Sequence, residues 1–130
     1  MNMNGATGLR GILVADALIS GGTGVLLLAG AGVLGPLLGI SESLLRYAGI
    51  ILVPFAACVY ALSTRPVTRG AVLAVIVLNG LWVAGSVALL AAGGIAPTAL
   101  GTAFVIAQAV VVAIFAELQY AGLRRAMTGV

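Results

Sequence analysis

Four long apolar runs separated by short links dominate this sequence. Across 130 residues there are six arginines, three acids, and no lysine or histidine. A bilayer core about 30 Å thick is crossed by about 20 helical residues, and the runs lie at about 11–35, 44–63, 70–92 and 98–123. Soluble domains carry about 25% charged residues; here 7% are charged and 62% hydrophobic. That leaves too little polar surface for a soluble 12.8 kDa fold.

Backbone groups in lipid must be satisfied within the segment, so each run is expected to be a helix. None shows the period-two alternation of a membrane barrel strand. Links this short force neighbouring helices antiparallel. The expected fold is therefore all-α, a single four-helix transmembrane domain over 1–130 in an up-down-up-down bundle. Span one is expected to stop at Pro36. Ser41-Glu42-Ser43 offers an N-cap and an early acid for span two, Thr68 a cap for span three, and Pro97 or Thr98 the start of span four. Pro54 removes a backbone donor inside span two and is expected to kink it. Span one is too long for a signal peptide and is interrupted by Asp16, so it is read as retained.

The arginines set an expected orientation. Arg10, Arg65, Arg69, Arg124 and Arg125 fall on one side of a four-span layout and Arg46 on the other. For loops this short the bias places both termini in the cytoplasm, across a bacterial inner (plasma) membrane. Abundant Ala, Gly and Arg without Lys suggest a high-GC bacterial genome.

Composition also removes several chemistries. Without histidine there is no His-ligated haem and no His-based triad. A lone cysteine, Cys58, makes neither an internal disulfide nor a multi-thiolate metal site. No phosphate loop with a lysine exists, and a net charge of +3 is too small and dispersed for nucleic acid. The expectation is a chain with no enzymatic activity, no catalytic residues, no metal and no cofactor.

Ionisable groups inside a span are costly, about 2.5–3.5 kcal/mol at the centre on insertion scales, and so are candidates for function. At about 1.5 Å per residue, Asp16 lies about 9 Å inward from Arg10, and Glu117 about 10 Å inward from Arg124. If spans one and four are neighbours, the two acids meet as a pair that shares a proton or binds a cation. Alternatively, each acid reaches toward the interface and pairs with Arg10, Arg65, Arg69 or Arg124. Ser20 and Asn79 lie deeper, about 15 Å in. Asn79, Trp82 and Ser86 share one face of span three; Asp16, Ser20 and Thr23 share one face of span one. These stripes can face each other, as interhelical glue or as a binding site. Trp82 is too deep for an aromatic belt and either packs on a helix or lines a lipophilic pocket. Gln108 is nine residues from Glu117, on the opposite side of span four. With Glu117 facing the bundle, Gln108 faces lipid or another protein. The small residues of span one, with Ala17/Gly21 and Ser20/Gly24 as small-xxx-small pairs, mark a close helix approach or a ligand contact.

The stretches LVADALISGGTGVLLL, LLRYAGIILVPFAACV, LNGLWVAGSVALL and PTALGTAFVIAQAVVVAIFAELQYAGLRR resemble small four-span bacterial integral membrane proteins of uncharacterised activity. That resemblance implies a four-helix inner-membrane protein and no particular chemistry. ILVADALISGG is also similar to the first span of small multidrug resistance exporters, a resemblance that puts Asp16 in the place of their proton-coupled glutamate. The chain departs from that pattern in having Asp instead of Glu, a second acid in span four, and a strong charge bias.

The leading functional expectation is a non-enzymatic accessory or interaction subunit of a membrane complex, or a homo-oligomeric bundle, with the lipid bilayer and other membrane helices as partners. One alternative is a small proton- or cation-coupled transporter using Asp16 and Glu117. The other is a protein that binds a lipid, quinone or pigment. The candidate binding residues are Asp16, Ser20, Asn79, Trp82, Ser86, Gln108 and Glu117.

Overall fold

A computed structural model describes residues 3–93 and 95–128 as four helices. They are α1 (Met3–Leu38), α2 (Glu42–Ser63), α3 (Arg69–Ala91) and α4 (Ala99–Thr128). All four are long and apolar enough to cross a membrane. The chain is an all-α, multi-pass membrane protein, with no strand among the described residues.

The helix ends follow from local chemistry. Ser41 caps α2 by accepting from the Leu44 N–H at 3.1 Å, and Thr68 caps α3 by accepting from the Ala71 N–H at 3.4 Å. Thr98 caps α4 through the Gly101 N–H at 3.1 Å. It also donates its own N–H and hydroxyl to the carbonyls of Leu38 and Leu37, tying the start of α4 to the end of α1.

Pro36 does not end α1, as expected from the sequence, but sits inside its last turn. The reversal belongs to Gly39, at φ 66°. There the Ile40 N–H returns to the Gly35 carbonyl at 3.1 Å, the 6→1 bond of a Schellman turn. A side chain at Gly39 would also collide with the Thr98 nitrogen, so two independent constraints favour glycine. Pro54 is accommodated within a helix that continues from Glu42 to Ser63.

Helix α1 begins well before the expected 11 and α4 runs past the expected 123. The first turns of α1 and the last turns of α4 pack together: Leu9 and Ala126 are buried, and Gly5 lies against the Ala126 backbone. This contact continues both helices beyond the apolar spans.

Helix α1 packs against α2 and α4, and α3 packs along α4 while reaching α1 through Asn79 and the first core. The α1–α2 crossing is close because Gly24 and Gly49 meet there. A Cβ at Gly49 would lie 2.7 Å from the Gly24 carbonyl oxygen, and one at Gly24 would lie 2.9 Å from Val53. Gly21 faces Ala56 in the same seam. The small-residue stripe of α1 is thus a helix contact.

Two apolar cores result. One, at the end where Arg10 donates to the Arg65 carbonyl, joins Leu9, Leu13 and Ala17 to Val59, Val72, Val75 and Leu123. The other joins Leu27, Ala31 and Leu38 to Ile40, Leu45, Leu52 and Val105. Helices α2 and α3 share the first core through Val59, Val72 and Val75 but do not pack closely along their lengths. Toward the opposite end a lateral seam between them is open to the surroundings. Large apolar side chains on every helix, among them Leu18, Val33, Ile51, Leu81 and Ile114, face outward, as a lipid-exposed surface requires.

Candidate functional site

Between the two cores lies a buried polar layer. Asp16 is 1% exposed, and three donors converge on its carboxylate. Ser20 Oγ donates to Oδ1 at 3.0 Å; Asn79 Nδ2 and Gln119 Nε2 donate to Oδ2 at 2.9 and 2.6 Å. Asn79 Nδ2 also donates to Gln119 Oε1 at 3.1 Å. The layer therefore joins α1, α3 and α4. The facing stripes of α1 and α3 anticipated this meeting of Asp16, Ser20 and Asn79.

Glu117 is elsewhere, and the expected acid pair does not form. Glu117 is exposed, beside Tyr120 and Arg124 on the outer surface of α4. Nor do the expected arginines reach Asp16, whose partners are the hydroxyl and the two amides. The reason is the rotation of α4. At 100° per residue, positions 108 and 119 share a side while 117 lies opposite 108. The face with Gly101, Val105, Ala109, Gln119 and Leu123 is the buried one. Gln108 therefore points inward where it was expected to face lipid, and Gln119, absent from the expected site, replaces Glu117 beside Asp16. The eleven-residue spacing of Gln108 and Gln119 was the available signal: two amides on one side of a membrane helix mark an interior face better than one acid near its end.

Gln108 organises a second polar group nearer the opposite end. Trp82 Nε1 donates to Gln108 Oε1 at 2.6 Å. Gln108 Nε2 donates to Ser86 Oγ at 3.1 Å and to the Val105 carbonyl at 2.9 Å. The Ser86 hydroxyl donates to the Trp82 carbonyl at 2.8 Å. Asn79, Trp82 and Ser86 thus do share a face of α3, but they divide between the two polar groups.

The Trp82–Gln108–Ser86 group forms the floor of the seam between α2 and α3. A cavity of about 290 Å³ lies there, walled by Leu44, Ala48, Ile51 and Leu52 of α2 and by Leu81, Gly85 and Leu89 of α3. Leu27, Phe104 and Val105 close its back. A second cavity of about 200 Å³, between α1 and α4, shares Thr23, Leu52, Trp82, Phe104 and Gln108 with the first and reaches Ser20. The indole–amide pair therefore separates a membrane-facing pocket from a crevice that ends at the hydroxyl bonded to Asp16. Among the described residues no cluster of His, Cys, Asp or Glu could hold a metal ion.

No family model, curated protein or solved structure matches this chain.

Proposed function

We propose that this chain is a non-enzymatic, multi-pass protein of the bacterial inner membrane that holds a lipophilic molecule in the α2–α3 seam. The observation that carries this reading is the cavity itself, apolar on its walls, open sideways, and floored by Trp82, Gln108 and Ser86. Ligand pockets typically combine apolar walls with a few placed polar groups, at about 300–1,000 Å³. A volume of about 290 Å³ suits a head group with part of one chain, the remainder lying along the seam in lipid. In this arrangement the Asp16 layer is the interhelical clamp that holds α3 and α4 on α1, and so shapes the floor.

Trp82 is the chain's only tryptophan, so its fluorescence reports the site directly. A brominated single-chain lipophile is expected to quench it saturably in detergent or nanodiscs. Gly85→Leu should abolish the saturable component. Gly85 lines the cavity and has open space where a Cβ would go, so the larger side chain fills the pocket without strain. Quenching that rises linearly and equally in both proteins would refute the reading. A helix from a partner in the seam, as an accessory subunit would have, predicts instead a stable complex that excludes the quencher.

A transport reading has one observation in its favour: the α1–α4 crevice runs from Gln108 to Ser20, which holds Asp16. On that reading Asp16 acts without Glu117.

A further inference from the structure

The polar floor of the seam has spent its donors. The Trp82 indole N–H and both Gln108 amide hydrogens are engaged, and the Ser86 hydroxyl hydrogen is given to the Trp82 carbonyl. Acceptor capacity remains. An amide oxygen has two lone pairs and a hydroxyl oxygen two; Gln108 Oε1 receives only the indole and Ser86 Oγ only the Gln108 amide. Thr23 beside this floor, and the largely exposed Tyr47 on the α2 wall of the cavity, carry rotatable hydroxyls that give or take. A head group that only accepts can take a bond from Thr23 but meets the Gln108 oxygen lone pair against lone pair, so it gains one bond where a hydroxyl gains two. A hydroxyl donates to Gln108 and accepts from Thr23. At this depth lipid offers a hydroxyl no partner, so the floor supplies those available.

We propose that the seam selects lipophiles whose polar head donates a hydrogen bond, an alcohol or a phenol, over heads that only accept, such as ethers, ketones and quinones. This rests on the seam being a lipophile site, and the test separates the two claims. Full-length protein is titrated with a brominated long-chain alcohol and with its methyl ether, following Trp82 quenching. The alcohol is expected to bind about tenfold more tightly, equivalent to about 1.4 kcal/mol. Ser86→Ala leaves the Trp82–Gln108 bond intact and should narrow that ratio; Gln108→Leu should remove it.

Displacement of the brominated alcohol then distinguishes sources of the hydroxyl. A prenylated hydroquinone that competes while its quinone does not assigns the seam to ring-headed phenols, and competition by aliphatic alcohols alone assigns it to those. Equal binding of alcohol and ether, or tighter binding of the ether, overturns the selectivity while leaving a lipophile site. Saturable quenching by neither probe overturns both.

Discussion

Substitutions of Asp16 should separate hydrogen-bond geometry from charge. Its Oδ2 takes the Asn79 and Gln119 amides, and its Oδ1 takes the Ser20 hydroxyl. In Asp16→Asn, the remaining oxygen can keep both amides. The introduced NH2 faces Ser20 Oγ, which turns to accept, because a hydroxyl is both donor and acceptor. All three contacts survive, and the expected loss is under about 1 kcal/mol. Asp16→Leu removes every acceptor. Two interhelical bonds are lost, and polar side-chain bonds in membranes are worth about 0.6–2 kcal/mol each. The expected loss is about 1–4 kcal/mol, rising where an amide is left buried without a partner. Removing a buried acid also eases insertion, so the measurement belongs on protein already inserted and folded. SDS-driven unfolding of the purified protein, followed through Trp82, gives the midpoint for each variant. Equal destabilisation by Asn and Leu would show that the charge itself matters. No destabilisation by Leu would show that the layer is not a clamp.

Further outcomes follow from the packing. Gly49→Ala should lower the same midpoint through a destabilisation of about 1–3 kcal/mol, because the added methyl drives into the Gly24 carbonyl and Leu28. Gly80→Ala, with open space at its Cβ, should be neutral or stabilising by up to about 1 kcal/mol through helix propensity. Glu117→Gln should leave both stability and lipophile binding unchanged, since Glu117 is exposed and apart from Asp16; a lost binding signal would restore the acid-pair mechanism. A reporter fused to the C-terminus should be active only in its cytoplasm-dependent form, because Arg10, Arg65, Arg69, Arg124 and Arg125 gather at that end.

Much of the fold was legible because lipid leaves few choices. Run length and charge spacing gave four helices, and Ser41 and Thr68 capped α2 and α3 as their side chains suggested, while Thr98, one of two expected starts of span four, caps α4. The extensions of α1 and α4 were hidden because they depend on Gly5 meeting Ala126 and Leu9 meeting Gly122, tertiary contacts between the two helix ends. Half of the polar layer was readable from i, i+3 and i, i+4 spacing, which put Asp16 and Ser20 on one face and Asn79 on another. The other half turned on the rotation of α4. Glu117 is the costlier group to place in lipid and drew the interior assignment, yet it lies close enough to the end of the span to stay outside. Gln108 and Gln119, lacking charge, took the inside. The open α2–α3 seam had no sequence signature, since nothing in a five-residue link tells whether two helices stay together or diverge.

The most direct test of a lipophile in the seam is the chemical content of the protein itself. Wild-type protein and Gly85→Leu are purified from the same membranes in mild detergent, and their bound small molecules are extracted and identified by mass spectrometry. A hydroxyl-bearing lipophile is expected in near-stoichiometric amount with the wild type and absent from Gly85→Leu. The same mixture of bulk lipids in both, with no species depleted by filling the cavity, would contradict the account.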